Sequence, residues 1–277
     1  MANRKTVIAT GEIYHIYNRG VEKRDIFLDD LDYQRFIHDL YEFNDENSVG
    51  DYKFISKGTK TGKKRITTTS STDTKPALGE VEPPQVEHFT ASTATSSEIG
   101  GERYRKHERK PLVDILAFCL MKNHFHLMLR QRVDGGISEF MHKIGTGYTM
   151  YFNKKNNRSG TLFQGKYKSV HTAKENQFRY LPIYIHLNPL DYIYPEWREK
   201  EVNETDKAIE YLKNYRWSSL PDYMGIHNYP SVINKEIFEE KAGKSLNHAG
   251  DVIDWLRNMN KLAFADTKEE GKIVKDE

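Results

Sequence analysis

From Ile115 to Leu129 the chain is largely apolar, and the polar pair Lys122-Asn123 divides this run in two. Two apolar segments of strand length joined by a short polar break are typical of a β-hairpin. The pattern predicts strands at about Val113–Met121 and His124–Gln131. A fold built around these residues therefore contains an antiparallel sheet.

The second predicted strand begins with two histidines, His124 and His126, on either side of Phe125. Side chains alternate along a strand, so both imidazoles face one side of the sheet and Phe125 faces the core on the other. Neutral imidazole is a common ligand of divalent metals. Because the chain has a single cysteine, Cys119, a closed structural zinc site is not expected, and an open site completed by water or substrate oxygens fits better. The alternative is a pair of ordinary histidines on a solvated strand face.

The flanking sequence predicts a small α+β sandwich with helices on one face of an antiparallel sheet. Extended segments are expected at Gly11–Asn18 and Thr161–His171, and amphipathic helices at Leu31–Phe43 and Ile137–Asn153. A further helix is expected to begin at the capping-box sequence of Thr172 to Glu175 and to end before Pro189.

Composition changes abruptly at about residue 45 and changes back at about residue 110. The residues between are crowded with Ser, Thr, Lys, Glu, Gly and Pro, and bury too little apolar surface to offset the entropy of ordering them. We therefore predict a mostly disordered insertion at 45–110 within a domain of residues 1–195. Residues 196–265 are expected to form a helical extension, with helices near Lys235–Lys241 and Ala249–Lys261, and residues 266–277 a flexible tail.

Basic residues concentrate between Met141 and Tyr180, where eight lysines and arginines stand against one acidic residue, Glu175. Aromatic residues alternate with them, as in surfaces that track phosphates and stack unpaired bases. The preferred phosphate contacts are Lys154, Lys155, Arg158, Lys166 and Lys168. The alternative is a solvated helix face.

Neither a signal peptide nor an apolar run of membrane-spanning length is visible in the sequence, and the lone cysteine fits a reducing compartment. We therefore expect a cytoplasmic protein without a membrane partner.

A tyrosine and an asparagine, Tyr184 and Asn188, lie four residues apart on the last predicted helix of the sandwich and share a face of it. An amide oxygen can complete a metal's ligand shell while a phenol attacks a phosphate bound there, provided that the phenol is activated. Pro182 complicates this helix because it removes a backbone hydrogen bond. Tyr148 and Tyr151 are alternative nucleophiles without an amide four residues on, and most of the 17 tyrosines must be packing residues.

Four motifs, taken in order, resemble the REP-associated tyrosine transposases, which belong to the single-tyrosine HUH transposases of bacterial insertion sequences. They are Tyr14-His15-Ile16-Tyr17-Asn18-Arg19-Gly20, Met121-Lys122-Asn123-His124-Phe125-His126-Leu127, Gly165-Lys166-Tyr167-Lys168-Ser169 and Tyr184-Ile185-His186-Leu187-Asn188-Pro189. The resemblance runs from about Gly11 to Pro195, and Trp217-Ser218-Ser219 resembles a downstream element of the same group. It implies an α+β, ferredoxin-like HUH domain that cuts single-stranded DNA beside hairpins.

By position, the resemblance implies that His124 and His126 are metal ligands, that Asn188 is the third ligand and that Tyr184 is the nucleophile. The implied cofactor is a divalent ion, Mg²⁺ or Mn²⁺, and the implied partner is single-stranded or hairpin DNA. The residues expected to contact DNA are Arg19, Lys122, Lys143, Lys154, Lys155, Arg158, Lys166 and Lys168. Lys122 stands where proline is common in the family, and Pro182 and the long insertion are unusual in it. A monomer and a homodimer both stay open.

Three functions follow from these observations. The leading one is a metal-dependent endonuclease and strand transferase, a transposase, acting through a 5′-phosphotyrosine intermediate. The alternative from another class is a domesticated protein that binds hairpin DNA without cutting it. A third is a metal-dependent hydrolase that uses water in place of Tyr184.

Overall fold

The computed structural model describes residues 8–47, 109–199, 202–242 and 247–258. Within them, one antiparallel sheet has four strands in the order β2-β3-β1-β4. The strands are β1 (Ile13–Arg19), β2 (Val113–Met121), β3 (His124–Gln131) and β4 (Lys168–His171). Helix α1 (Asp30–Glu42) connects β1 to β2, and α2 (Gly136–Lys155) connects β3 to β4. This βαββαβ order is ferredoxin-like and confirms the predicted α+β class.

Five further helices follow the sheet within the described residues. They are α3 (Glu175–Leu187), α4 (Thr205–Asn214), α5 (Leu220–Tyr223), α6 (Lys235–Ala242) and α7 (His248–Asn258). A short 3₁₀ segment, Asn188–Tyr192, continues directly from α3. The helices predicted near Lys235–Lys241 and Ala249–Lys261 are thus present, and the second ends at Asn258 within the described chain.

The β2–β3 hairpin has the predicted bounds. Met121 pairs with His124, so Lys122 and Asn123 form the two-residue turn. Every residue of β2 is buried, and so are six of the eight residues of β3. Strands that are apolar at successive positions bury both faces of a sheet.

Helices cover both faces of this sheet, so the predicted one-sided sandwich is wrong in this respect. On the first face, Phe125 and Leu127 of β3 pack in one core cluster with Phe36 of α1 and Tyr148 of α2. On the second face, β2 and β3 share a separate cluster with α3 and the later helices. The physical reason is that β2 is apolar at every position except Asp114, so both of its faces are covered.

The start of α3 differs from the predicted capping box. The main-chain N–H of Thr172 donates to Ile13 O at 2.9 Å and so extends the sheet instead of capping a helix. The side-chain oxygen of Gln177 accepts from the N–H groups of Ala173 and Lys174, and the helix begins at Glu175. Of the predicted extended segment Thr161–His171, only Lys168–His171 is a strand.

Residues beyond α3 cover the outer edge of β2. Leu120 N donates to Trp217 O at 2.9 Å, and Ser219 N donates to Phe118 O at 3.0 Å. The Tyr215 hydroxyl donates to Leu120 O at 2.7 Å. These bonds occupy edge groups that would otherwise be open to another strand.

Most of the predicted insertion, residues 48–108, and the predicted tail, residues 266–277, lie outside the described residues. The two ends of the insertion are described. Glu46 N donates to Lys110 O at 2.9 Å, and Asp45 is buried, so 45–47 and 109–110 are part of the folded structure. The division into a domain of 1–195 and an extension of 196–265 stays a prediction. Across the described chain, each helix is too short or too polar to cross a bilayer.

Candidate active site

The two histidines of β3 lie on the second face of the sheet, beneath α3. The ring centroids of His124 and His126 are 5.0 Å apart and their planes are perpendicular. Phe125 points to the opposite face, where its ring centroid lies 5.0 Å from that of Phe36. The alternation of side chains along β3 is therefore as expected from the sequence.

Hydrogen bonds orient both imidazoles through their Nδ1 atoms. His124 Nδ1 lies 2.7 Å from Asn123 Oδ1, and His126 Nδ1 lies 2.9 Å from His15 Nε2. A metal-binding imidazole usually bonds a neighbouring group through its other ring nitrogen. Nε2 is accordingly the nitrogen of each ring that would ligate a metal.

His15 belongs to a motif noted in the sequence, but no role could be given to it from the sequence alone. It lies on β1, directly beside His126, and the two rings stack with centroids 5.1 Å apart. His15 is 1% exposed, and its Nδ1 has no hydrogen-bond partner among the described residues. The signal that could have found it is β-strand alternation, which places His15 and Tyr17 on one face.

Burial keeps these imidazoles neutral. It lowers the pKa of His124 to about 4, where the charge of Asp191 acts in the opposite direction and those of Arg198 and Arg19 in the same one. It also lowers the pKa of His126 well below the usual value, assisted by the charges of His124, His15 and Arg198. The neutral form is the one that binds metals.

Helix α3 carries Tyr184 onto the same face. The Tyr184 ring centroid lies 5.7 Å from that of His126 and 6.1 Å from that of His15, with edge-to-face geometry in both pairs. The side chain is only 2% exposed. The structure thus brings the predicted nucleophile and the histidine pair together from separate parts of the sequence.

Asn188 follows at the end of α3, but its amide oxygen is bound by the guanidinium of Arg198. Asn188 Nδ2 donates to Tyr184 O at 2.8 Å, and Asn188 Oδ1 accepts from Arg198 Nη2 at 2.9 Å. Asn188 could ligate a metal only by exchanging this bond. Its role as third ligand stays a prediction.

The residues fit part of a metal site. The two neutral imidazoles suit two ligand positions, and His15 orients one of them. In the described part of the chain, no three His, Cys, Asp or Glu side chains are grouped so that they could hold an ion. The other ligands would have to be an amide, water or substrate oxygens, which describes an open site.

Arg198 was missed by the sequence analysis, because nothing in its neighbourhood forms a motif. Its guanidinium binds the carboxylate of Asp191 and interacts electrostatically with Tyr184. Its Cζ lies 5.6 Å from the ring centroid of Tyr184 and 4.5 Å from that of Trp197. A positive charge therefore lies at the candidate nucleophile.

The alternative tyrosines lie elsewhere. Tyr148 is fully buried on the first face, where its hydroxyl donates to Ile26 O at 2.6 Å. The Tyr151 hydroxyl donates to Asp32 Oδ1 at 3.0 Å. Neither is placed to attack a group held by His124 and His126.

Two of the predicted DNA contacts, Lys143 and Lys155, have side chains less than a third exposed and are paired within the protein. Lys143 Nζ donates to Asp45 O at 2.7 Å. Lys155 Nζ lies 2.7 Å from Asp29 Oδ1 and 2.7 Å from Asp32 Oδ1. Burial alone would lower the pKa of Lys155, but the two carboxylates outweigh it and raise that pKa. Both lysines therefore brace the fold.

The other predicted contacts are more accessible. The exposed ones are Lys122, Lys154, Lys166 and Lys168. Arg19 and Arg158 are half-buried and donate to the side chains of Gln164 and Asn153. Contact with DNA stays a prediction for all of them.

Comparison with known proteins bears on these observations. Residues 95–188, about a third of the chain, match the family model described as "Transposase IS200 like". Over this segment the chain is similar to IS200-like transposases. The segment includes the β2–β3 hairpin, His124, His126, Tyr184 and Asn188, so the match confirms the resemblance drawn from the motifs at the level of the IS200-like group.

A solved structure described as the REP-associated tyrosine transposase bound to a REP hairpin also aligns with the chain. The alignment covers 84% of this chain and 92% of that one, at 10% identity and a TM-score of 0.43. No curated protein matches the chain.

Proposed function

We propose that this protein is a metal-dependent single-stranded DNA endonuclease and strand transferase that cuts beside hairpin DNA through Tyr184. One observation carries the proposal. In a segment similar to IS200-like transposases, the Tyr184 ring lies 5.7 Å from His126 of the strand histidine pair. A transposase acts on DNA, and a phenol beside two imidazoles can supply the nucleophile.

In the proposed reaction, the Tyr184 oxygen forms a bond to the scissile phosphorus while the bond from phosphorus to the 3′ oxygen breaks. The phenol loses its proton to solvent, and the leaving 3′ oxygen gains one, so protons balance. The products are a 5′-phosphotyrosine and a free 3′-hydroxyl. Attack by the 3′-hydroxyl of a second strand reverses the step and joins the two strands.

His124 and His126 would hold the divalent ion, Mg²⁺ or Mn²⁺, with Asn188 as the proposed third ligand. When bound, such an ion supplies Lewis-acid polarisation of the phosphate. His15 holds the His126 ring through the 2.9 Å bond between their nitrogens. α3 fixes the phenol above these rings, which limits the geometries from which attack can occur.

The proposed partner is a single strand that carries a hairpin. Exposed Lys154, Lys166 and Lys168 would contact its phosphates, and unpaired bases would stack on aromatic side chains. A cytoplasmic location and the choice between monomer and homodimer stay predictions.

The test is a covalent adduct assay. The full-length protein is incubated with a hairpin oligonucleotide bearing a single-stranded flank and with Mg²⁺ or Mn²⁺, and the products are separated under denaturing conditions. We expect a protein–DNA adduct that EDTA abolishes. Tyr184→Phe is expected to remove the adduct and retain binding, whereas Tyr180→Phe, one turn earlier on α3, is expected to keep it.

An adduct that persists in Tyr184→Phe would reject this nucleophile. A 5′-phosphate product on DNA free of protein, unchanged in Tyr184→Phe, would instead indicate hydrolysis by water.

Two observations favour a second candidate, a domesticated protein that binds hairpin DNA without cutting it. Tyr184 is 2% exposed, and the Asn188 amide oxygen is bound by Arg198. Hairpin binding that needs no metal, with no adduct under any metal or substrate tested, would support this candidate against the transferase.

A further inference from the structure

A guanidinium that no sequence motif indicated, that of Arg198, lies beside the ring of the proposed nucleophile, Tyr184. We propose that Arg198 binds the scissile phosphate at the position where Tyr184 attacks it. This assignment rests on the proposed function and makes Arg198 a catalytic residue of that reaction.

The position of Arg198 carries the argument. Its Cζ lies 5.6 Å from the ring centroid of Tyr184, and its Nη2 donates to Asn188 Oδ1 at 2.9 Å. In an attack geometry, a nucleophilic oxygen lies about 3–3.5 Å from the atom that it attacks. A guanidinium beside the Tyr184 ring is therefore within reach of the non-bridging oxygens of a phosphate at that point.

The chemistry of Arg198 suits a phosphate. A guanidinium has five donors in a planar fork, which matches two phosphate oxygens. About a third of the side chain, 35%, is exposed, so part of the fork is open to a ligand. Burial lowers the pKa of Arg198, but its interactions with Asp191 and Tyr184 outweigh this and raise the pKa, so the charge is retained.

Neighbouring side chains hold the guanidinium in place. The Trp197 indole N–H donates to Asp191 Oδ1 at 2.6 Å, and Asp191 in turn binds Arg198. The guanidinium also lies over the Trp197 ring, with Cζ 4.5 Å from its centroid. Asp191 is thus a positioning residue. Because the guanidinium is already held in place, Arg198 loses little rotamer freedom when a phosphate binds.

The same assignment gives a reason for the orientation of Asn188. Its amide oxygen is bound to the Arg198 nitrogen that a phosphate oxygen would take. Binding of the phosphate would then free the amide oxygen of Asn188 to turn toward the histidines of the site. Phosphate binding and the release of Asn188 as the proposed third metal ligand would therefore depend on the same Arg198 nitrogen.

A purely structural role is the competing explanation, because Arg198 also ties the segment after α3 to Asn188 and Asp191. The experiment must therefore compare a charged scissile linkage with a neutral one. Single-turnover adduct formation is measured with two hairpin oligonucleotides, one with an ordinary scissile phosphodiester and one with a neutral methylphosphonate at that linkage.

With the phosphodiester, we expect Arg198→Gln to slow adduct formation by about 100- to 1000-fold, the usual effect of losing one donor to a developing charge. Hairpin affinity should change by only a few fold. With the methylphosphonate, the wild type and Arg198→Gln should differ by less than about tenfold, because the neutral linkage no longer needs the cation.

Arg198→Lys keeps the charge and the aliphatic stem, so it tests the proposal even if Arg198→Gln does not fold. It is expected to recover part of the phosphodiester rate. Arg257→Gln is the matched control, since Arg257 lies on α7 and pairs with the exposed Asp206 at 3.5 Å. Its rate should equal that of the wild type.

The possible results separate the two proposals. Equal penalties on both oligonucleotides, or a wild-type rate in Arg198→Gln, overturn the assignment of Arg198 and leave the transferase intact. A wild-type protein that forms no adduct with the phosphodiester overturns the proposed function and this assignment together.

Discussion

Among single side chains, His15 is a motif residue whose role was assigned only by the structure. Its Nε2 lies 2.9 Å from His126 Nδ1 and its ring stacks on His126. A hydrogen bond of this kind fixes both the tautomer and the orientation of a metal-binding imidazole. His15 is therefore a positioning residue for the proposed metal site, as Asp191 is for the proposed phosphate site.

Replacing His15 with Phe keeps a flat ring but removes the bond to His126. We expect Mn²⁺ affinity, measured by isothermal titration calorimetry without DNA, to fall by about 10- to 100-fold. His171→Phe is the control, because His171 lies on β4 and pairs with Glu12 at 2.8 Å. Unchanged Mn²⁺ affinity in His15→Phe would show that His15 does not orient a ligand.

At the scale of whole elements, a contact between the end of β1 and the β2–β3 turn fixes the position of the turn that precedes His124. Gly20 N donates to Asn123 O at 2.8 Å, which joins the turn before His124 to the residue after β1. A Cβ atom at Gly20 would lie 2.2 Å from the main-chain oxygen of Arg24. Only glycine permits this approach.

Gly20→Ala is accordingly expected to lower the free energy of unfolding by at least about 1–3 kcal/mol, since the backbone must shift to admit the methyl group. Urea unfolding followed by circular dichroism measures the change. Gly145→Ala is the contrast. Gly145 lies in α2 with no atom within 4 Å of its Cβ position, so alanine should stabilise by about 0.5–1 kcal/mol. Equal effects at both positions would contradict the role given to Gly20.

At the scale of the whole molecule, the four histidines that are buried within the described residues make the fold sensitive to acid. His15 and His126 lie beneath α3, while His186 Nδ1 lies 2.8 Å from His248 Nε2 in the core between α3 and α7. Burial lowers the pKa of His15 and of His248 to about 3 and that of His186 well below its usual value. The unfolded chain, with ordinary histidines, binds more protons than the folded one below about pH 6.5.

The folded state should therefore have its full stability above about pH 6.5 and lose it as the pH falls toward the folded pKa values. Each of these histidines contributes about 1.4 kcal/mol per pH unit in that interval. Urea unfolding at pH 7.0, 6.0 and 5.5 in EDTA should show a steep fall. A flat profile over this interval would mean that these imidazoles accept protons in the folded protein.

The distribution of lysines over the surface sets how DNA binding depends on salt. Lys166 and Lys168 are exposed, whereas Lys143 donates to Asp45 O and has a side chain only 15% exposed. Phosphate contacts release counterions from the DNA, and charges already used within the fold do not.

A double change, Lys166→Ala with Lys168→Ala, should reduce the slope of log affinity against log salt by about 1.4 for a single-stranded flank, at about 0.7 for each contact. Lys143→Ala should leave that slope unchanged while lowering stability. Fluorescence anisotropy with a labelled hairpin over a salt series measures both. An equal loss of slope in Lys143→Ala would show that the paired lysine reaches DNA after all.

Local patterns were sufficient for the elements and for part of the site. The apolar run around Lys122-Asn123 predicted the hairpin with its bounds, and alternation placed His124 and His126 opposite Phe125. The predicted start of α3 was wrong because Thr172 N donates to Ile13 O. A capping sequence carries no information about a strand so distant in the chain.

The sequence alone determined the features that depend on neighbouring residues: strand alternation, helix spacing and the motif residues Tyr184 and Asn188. Tertiary structure alone decided that helices cover both faces, that His15 supports His126, and that Arg198 binds Asn188. The physical reason is the range of the interactions. Periodicity arises from backbone geometry over a few residues, whereas these contacts arise when burial of apolar faces brings separate segments together and their polar groups must pair.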